Sequence, residues 1–312
     1  MRNGLPPAIF LMGPTAAGKT ALALALHNAL PVEIISVDSS QVYRGMDIGT
    51  AKPTPAELAR APHRLIDIRD PAQAYSAAEF CDDARREMEA IARAGRIPLL
   101  VGGSMFYFRA LEFGLSDLPS ADPDVRAHLA EEAGSVGWPA LHQRLRSIDP
   151  ESAAQIHPND AQRIQRALEI HALTGQPPSR LGGGRLHGEL PYGLVKIALW
   201  PQNRARLHAR IESRFRAMLE QNFLGEVEHL YRRGDLTAEL PSIRTVGYRQ
   251  AWKYLTGEVN YNEMINQAVA ATRQFAKRQV TWLRSYPQVR AFGIDSTPEK
   301  ACLEYLQATI RL

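Results

Sequence analysis

The chain has 312 residues, 45% hydrophobic and 22% charged, with a net charge of +4, an ordinary balance for a soluble globular protein of one large or two modest domains. Its two cysteines, Cys81 and Cys302, lie far apart, which excludes a disulfide framework and a thiolate metal site. The nine histidines show neither H-x-x-x-H nor H-E-x-x-H spacing, so nothing supports a structural zinc.

In chain order, Met1 to Pro7 lacks a charged-then-apolar leader, and no later run reaches the length of a membrane span, so a cytoplasmic location without membrane attachment is expected. The apolar run Ala8–Met12 predicts a strand. It leads into Gly13-Pro14-Thr15-Ala16-Ala17-Gly18-Lys19-Thr20, a complete G-x-x-x-x-G-K-T phosphate loop, and then into a helical pattern over Ala21–Ala29. Strand, loop and helix in that order are the context the motif needs. The glycines let successive backbone N–H groups turn inward around phosphate oxygens, and the helix adds its positive N-terminal end. Lys19 supplies a point charge, and the Thr20 hydroxyl is placed to ligate Mg²⁺. A di- or triphosphate is therefore expected at Gly13–Thr20, with its fate still open.

Further apolar runs at Glu33–Val37, Arg64–Ile68 and Ile97–Val101 alternate with helical patterns, as in a parallel α/β sheet. Ser76-Ala77-Ala78-Glu79 is a capping box that opens a helix to about Arg93, with Gly95 beyond its end. Such sheets bind ligands at the carboxyl ends of their strands, which selects Gly13–Thr20, Asp38–Gln41 and Gly102–Ser104. From Pro119 to Glu189 only helical segments appear, closing in a glycine-rich stretch, Gly175 to Gly188, that is expected to be flexible. A strand at Val195–Trp200, helices near Arg204–Gln221, Thr245–Leu255 and Tyr261–Ser285, and a strand at Val289–Phe292 complete the pattern. The expected fold is α/β, a P-loop NTPase-like parallel sheet with helices on both faces. Residues 1–118 and 190–312 would form this core, and 119–189 an inserted all-helical domain.

Charge is patterned in the last third. Arg204, Arg206, Arg210, Arg214 and Arg216 face a single Glu212 over residues 204–216. Arg206, Arg210 and Arg214 share one helical face. Residues 242–253 carry Arg244, Arg249 and Lys253 without an acid, and 270–285 carry Arg273, Lys277, Arg278 and Arg284 with Phe275 and Trp282 interleaved. Each cluster alone could be a solvated helix face, but solvated faces usually mix signs. Three together point to a polyanion, and the interleaved aromatics suit RNA.

A switch GTPase would carry N-K-x-D, which is absent, and the run Ile97–Val101 ends in glycines rather than a Walker-B acid. The acid that closes a strand near the loop is Asp38. Two roles remain open for it: a carboxylate supporting Mg²⁺, or a general base facing the phosphate loop across the sheet edge.

Several ordered motifs together resemble the bacterial tRNA dimethylallyltransferase (tRNA isopentenyltransferase) family. Besides the phosphate loop they are Ser36-Val37-Asp38-Ser39-Ser40-Gln41-Val42-Tyr43, Asp47-Ile48-Gly49-Thr50-Ala51-Lys52-Pro53, Pro62-His63-Arg64-Leu65 and Val101-Gly102-Gly103-Ser104. Later come His157-Pro158-Asn159-Asp160, Thr245-Val246-Gly247-Tyr248-Arg249-Gln250 and Thr272-Arg273-Gln274-Phe275-Ala276-Lys277-Arg278-Gln279. The likeness spans nearly the whole chain. Ala17 and Ser104 stand where serine and threonine are common in the family, and both leave the phosphate-cradling backbone intact.

The resemblance implies transfer of a dimethylallyl group from dimethylallyl diphosphate to N6 of the adenosine at tRNA nucleotide 37, with diphosphate leaving. By similarity Thr15 bonds near the bridging oxygen, Arg214 rather than Arg210 reaches the diphosphate, Asp38 accepts the N6 proton, and Mg²⁺ sits near Thr20. The adenine must leave its stack to react. The same resemblance puts Asp38, Ser39, Ser40 and Gln41 at the target base, and Ser104 and Arg126 along the anticodon loop. It places Gln162, Arg163, Ile164, Gln165 and Arg166 on the inserted domain as contacts to the anticodon stem-loop. On the core it places Ile243, Arg244, Thr245, Val246, Gly247, Tyr248 and Arg249, and Arg273 and Lys277 join them from the basic clusters. Arg163 and Arg166 share a helical face as phosphate contacts would, though an ordinary exposed face has the same spacing. His63 receives no role, and no obligate protein partner is implied. Two other readings share the loop: prenylation of free adenine nucleotides, which would need neither insertion nor basic helices, and a phosphate-loop kinase.

Overall fold

The computed structural model describes residues 4–181, 188–295 and 298–310. Strand β1 (Pro7–Met12) runs into α1 (Lys19–Ala29), β2 (Val32–Val37), α2 (Pro55–Arg60), β3 (His63–Arg64), α3 (Ala77–Arg93), β4 (Ile97–Gly102) and α4 (Met105–Phe113). Helices α5 (Pro123–Val136), α6 (Trp138–Ile148), α7 (Pro150–Gln155) and α8 (Ala161–Thr174) follow, with one 3₁₀ turn at Pro178–Arg180. The chain then forms β5 (Gly193–Trp200), α9 (Arg204–Glu220), α10 (Phe223–Arg232), α11 (Tyr248–Leu255), α12 (Tyr261–Ser285), β6 (Arg290–Gly293) and α13 (Pro298–Ile310).

The six strands form one parallel sheet in the order β3-β2-β4-β1-β5-β6. Residues 8–12 of β1 have no exposed surface, as expected of a parallel strand covered on both faces. Alternation divides them. Ile9 and Leu11 join Ile34, Leu99, Val101, Ile197 and Leu199 in a core shared with Leu22 and Leu26 of α1 and Leu306 of α13. Phe10 points the other way, its ring 5.0 Å from that of Phe108 in α4. Behind it Phe80 of α3 stacks on Tyr107 at 4.6 Å.

The chain divides into two compact units, Met1–Glu112 with Leu190–Leu312, and Phe113–Glu189. The second is helical throughout its described elements. Its core is Leu129, Leu141, Leu145, Ile164 and Leu168, with Ala133, Ala153 and Ala167. Glu169, fully buried there, accepts hydrogen bonds from Arg126, Arg166 and the Asp122 N–H.

One expectation changes. The run Arg64–Ile68 supplies only a two-residue edge strand, because Leu65 and Asp67 adopt left-handed φ of 62° and 56° and turn the chain away. The turn is held by Lys52 Nζ, which bonds the Asp67 carboxylate at 2.6 Å, and by Arg69 N–H on Val42 O. Helices α2, α4, α10 and α13 escape the sequence reading. The glycine triplet expected to be flexible, 182–184, lies outside the described residues.

Candidate active site

The phosphate loop leaves β1 at Gly13, where a Cβ would meet Leu199 of the neighbouring strand β5 at 3.2 Å. Ala16 and Gly18 take positive φ, 62° and 91°, which curls the loop before α1 begins. Lys19 Nζ folds back to Gly13 O and Pro14 O, 2.9 Å each. Burial, then the nearby Arg214 guanidinium, push the Lys19 ammonium down to about 8, while the Asp38 carboxylate pulls the other way. Two cations, Lys19 and Arg214, thus act with one carboxylate, Asp38, at the loop.

Arg214 reaches the loop from α9, and its Nη2 donates to Thr15 Oγ1 at 2.9 Å. Burial disfavours its charge and the Asp38 carboxylate supports it. One turn earlier, Arg210 donates to Ile294 O at 3.3 Å, so the two arginines have different partners.

Asp38 follows β2. Its Oδ1 accepts from Ser40 N–H at 2.9 Å, Ser40 Oγ at 2.6 Å and Gln41 N–H at 3.4 Å, a local turn that fixes the carboxylate. Strand β4 lies between β2 and β1, so one strand end separates the Asp38 turn from the phosphate loop along the carboxyl edge of the sheet. β4 can close in because it ends in glycine: a Cβ on Gly102 would sit 1.9 Å from Val37 O. The next turn takes hold of the Asp38 loop, Ser104 Oγ accepting from Ser39 N–H at 3.2 Å. Thr15, Lys19, Arg214 and Asp38 thus form one electrostatic cluster, drawn from the loop after β1, from α1 and α9, and from the turn after β2.

The residues expected at RNA separate by exposure. On the sheet unit, Ser39, Arg244, Arg249 and Lys277 are exposed. Ile243 and Tyr248 are fully buried and serve packing, while Thr245 and Val246 are half-buried and Gly247 is buried. Gln41 is built into the scaffold, its Oε1 accepting from Ser36 Oγ and its Nε2 donating to Ala51 O at 3.2 Å. On the helical unit, Gln162 and Arg163 are exposed and Ile164 is buried. The grouping of Arg163 with Arg166 as phosphate contacts changes: Arg166 is committed to Glu169 and Pro119 O, and Arg126 to Glu169. Gln165 Nε2 donates to Arg126 O.

The basic clusters are also less free than their sequence suggests. Glu212 pairs with both Arg216 and Arg273, Asp295 with Arg206, and Glu258 with Lys253. Arg278 lies 5.8 Å over Phe275 and Arg284 5.9 Å over Trp200.

Sequence reasoning missed Glu226 of α10. Its carboxylate accepts from the consecutive N–H groups of Asp47, Ile48 and Gly49, at 2.9, 2.7 and 3.1 Å, and from the Tyr248 hydroxyl at 2.5 Å. Burial, then that carboxylate, hold the Tyr248 hydroxyl protonated well above its usual range. Gly49 must be glycine, since a Cβ would lie 2.3 Å from the Phe223 ring. The loop thus clamped is the one whose carbonyls receive Gln41. No helix among the described residues is long and apolar enough to cross a membrane, and they contain no cluster of three His, Cys, Asp or Glu suited to a metal.

Fold and site together define a phosphate-loop α/β enzyme. Residues 41–286 match the model of the IPP transferase family. The chain belongs to that family, the tRNA dimethylallyltransferases. A tRNA dimethylallyltransferase from Thioalkalivibrio sulfidiphilus is 60% identical, over 97% of this chain and 95% of its own. A second, tRNA dimethylallyltransferase 2 of Hahella chejuensis, is 57% identical over 99% and 96%. The crystal structure of the tRNA isopentenylpyrophosphate transferase of Bacillus halodurans superposes with a TM-score of 0.71 at 39% identity, covering 98% of this chain and 97% of that one. A eukaryotic dimethylallyltransferase acting on tRNA gives 0.79 at 26% identity, covering 97% and 78%.

Proposed function

We propose that this chain transfers the dimethylallyl group of dimethylallyl diphosphate to N6 of the adenosine at tRNA nucleotide 37, giving N6-isopentenyladenosine and diphosphate. One observation carries the reading: the cations Lys19 and Arg214 gather at the phosphate loop with the Asp38 carboxylate close enough to act on both. A leaving anion and an incoming nucleophile need those opposite partners.

The backbone N–H groups of Gly18 and Lys19, the Lys19 ammonium and Arg214 receive the diphosphate, and Thr15 holds Arg214 in place near the bridging oxygen. The C1–O bond breaks with its electrons going to diphosphate, and the N6–C1 bond forms. Asp38 takes the N6 proton. Since the local contacts fall on Oδ1, Oδ2 is the accepting atom. Thr20, half-buried in the first turn of α1, would hold an Mg²⁺ ion through its hydroxyl. Bound there, the ion would neutralise charge on the leaving group.

Asp38–Gln41 and Ser104 line the place of the extruded base, and Arg244, Arg249 and Lys277 bind RNA on the sheet unit. The helical insertion, through Gln162 and Arg163, takes the anticodon stem-loop. A cytoplasmic enzyme with no membrane attachment and no obligate protein partner fits this work. Labelled dimethylallyl diphosphate with Mg²⁺, offered to an anticodon stem-loop or to AMP, tests the reading. Label on the RNA, at the adenosine 3′ of the anticodon, supports it; label on AMP alone, or on neither, refutes it.

A further inference from the structure

Gln279 lies on the inner side of α12, 4% exposed. Its Oε1 accepts from Thr15 N–H at 2.8 Å, and its Nε2 donates to Gly103 O at 2.9 Å. The partners settle which end of the amide is which, because a backbone N–H only donates and a carbonyl only accepts. Position 103 is shaped for this contact: a Cβ there would lie 2.3 Å from Nε2 and 3.4 Å from Gly13 O.

Each end of the amide reaches one half of the chemistry. Thr15, whose N–H it holds, accepts Arg214 on its Oγ1. Gly103, whose carbonyl it holds, precedes Ser104, and Ser104 Oγ accepts Ser39 N–H beside Asp38. One link to α12 thus joins the loop that receives the leaving diphosphate to the turn that carries the base. The Thr15 N–H is spent on this link rather than on phosphate.

We infer that Gln279 is a positioning residue for the transfer, setting the separation between the phosphate loop and the Asp38 turn. This rests on the function proposed above. Gln279 is not expected to touch either substrate, so its loss should act on kcat. A displacement near 1 Å costs on the order of 100-fold in rate.

The test is steady-state transfer by the full chain carrying Gln279→Leu, Gln279→Glu, Gly103→Ala or Gly103→Ala with Gln279→Leu. Gln279→Leu should lower kcat about 100-fold with both KM values within about threefold. Gly103→Ala, which drives the amide off its carbonyl, should behave likewise, and the double variant should fall little further because both changes break one link. Gln279→Glu keeps an acceptor for Thr15 but meets Gly103 O with a second acceptor unless protonated. Its rate relative to wild type should therefore rise as pH falls, whereas that of Gln279→Leu should stay flat. A purely structural role would not produce that pH signature. Variants within about twofold of an active wild type overturn the inference alone. So do losses of kcat that track lost melting temperature and RNA affinity, with additive single effects and no pH signature. A wild type that transfers nothing removes the functional reading and this inference together.

Discussion

Arg214 illustrates how one side chain gains a role from where its helix ends up. Arg206, Arg210 and Arg214 share a face of α9, yet only Arg214 reaches Thr15, while Arg210 and Arg206 are taken by Ile294 O and Asp295. Removing a preorganised donor to a developing anion costs about 10²–10³ in rate. Arg214→Ala is expected to lose that much in kcat, while Arg210→Ala should stay within about tenfold of wild type; steady-state transfer assays compare them. Equal losses would mean that the face acts as a whole. The motif residues Gly13–Thr20 and Asp38 were legible in the sequence because their chemistry is local: a tight loop before a helix, an acid after a strand. Gln279 and Glu226 were not, since their partners lie 264 and 177–179 positions away and only the fold brings them together. Spacing also misled at Arg166, where Glu169 sits three residues on and captures the guanidinium.

Two elements carry predictions of their own. The loop after β2 is held by Glu226 through three backbone N–H groups and Tyr248. An amide at that position would turn an N–H₂ toward a donor. Glu226→Gln should therefore lower stability by about 1–3 kcal/mol, read from chemical unfolding; an unchanged midpoint would show that the clamp contributes nothing. In the helical unit, Asp149 caps α7 and is 1% exposed. Burial alone would raise its carboxyl, but the N–H groups of Ser152 and Ser179 and the Ser152 hydroxyl outweigh that and hold it at about 2, below the usual 3.8. A depressed carboxylate stabilises the fold above its unfolded pKa and loses that contribution as pH falls through the folded one. The stability gap between wild type and Asp149→Asn, followed by circular dichroism melts, should be full near neutrality and shrink as pH drops from 3.8 toward about 2. A gap independent of pH would contradict the assignment. Most strands were legible from apolar runs, and α3 from its capping box, whereas α2, α4, α10 and α13 were not read. The exception, Arg64–Ile68, failed because two non-glycine residues adopt left-handed backbone that periodicity does not reveal.

At the scale of the molecule, α/β alternation and its helical interruption could be read directly, because composition changes where strands stop. Surface charge could not. The acids that neutralise Arg206, Arg273 and Lys253 come from neighbouring segments or turns, leaving Arg244, Arg249 and Lys277 exposed without an ion-pair partner among the described residues. RNA affinity should fall linearly on logarithmic axes with salt, and Lys277→Gln should reduce the slope by about 0.7–0.9. An unchanged slope would remove Lys277 from the interface.

The role of Asp38 is tested most directly by single-turnover transfer with Asp38→Ala, set beside its affinity for the same anticodon stem-loop. A base acting in the transition state predicts a rate loss of about 10²–10⁴ with RNA affinity within a few-fold of wild type. Parallel losses of rate and affinity would make Asp38 a recognition residue and contradict the account.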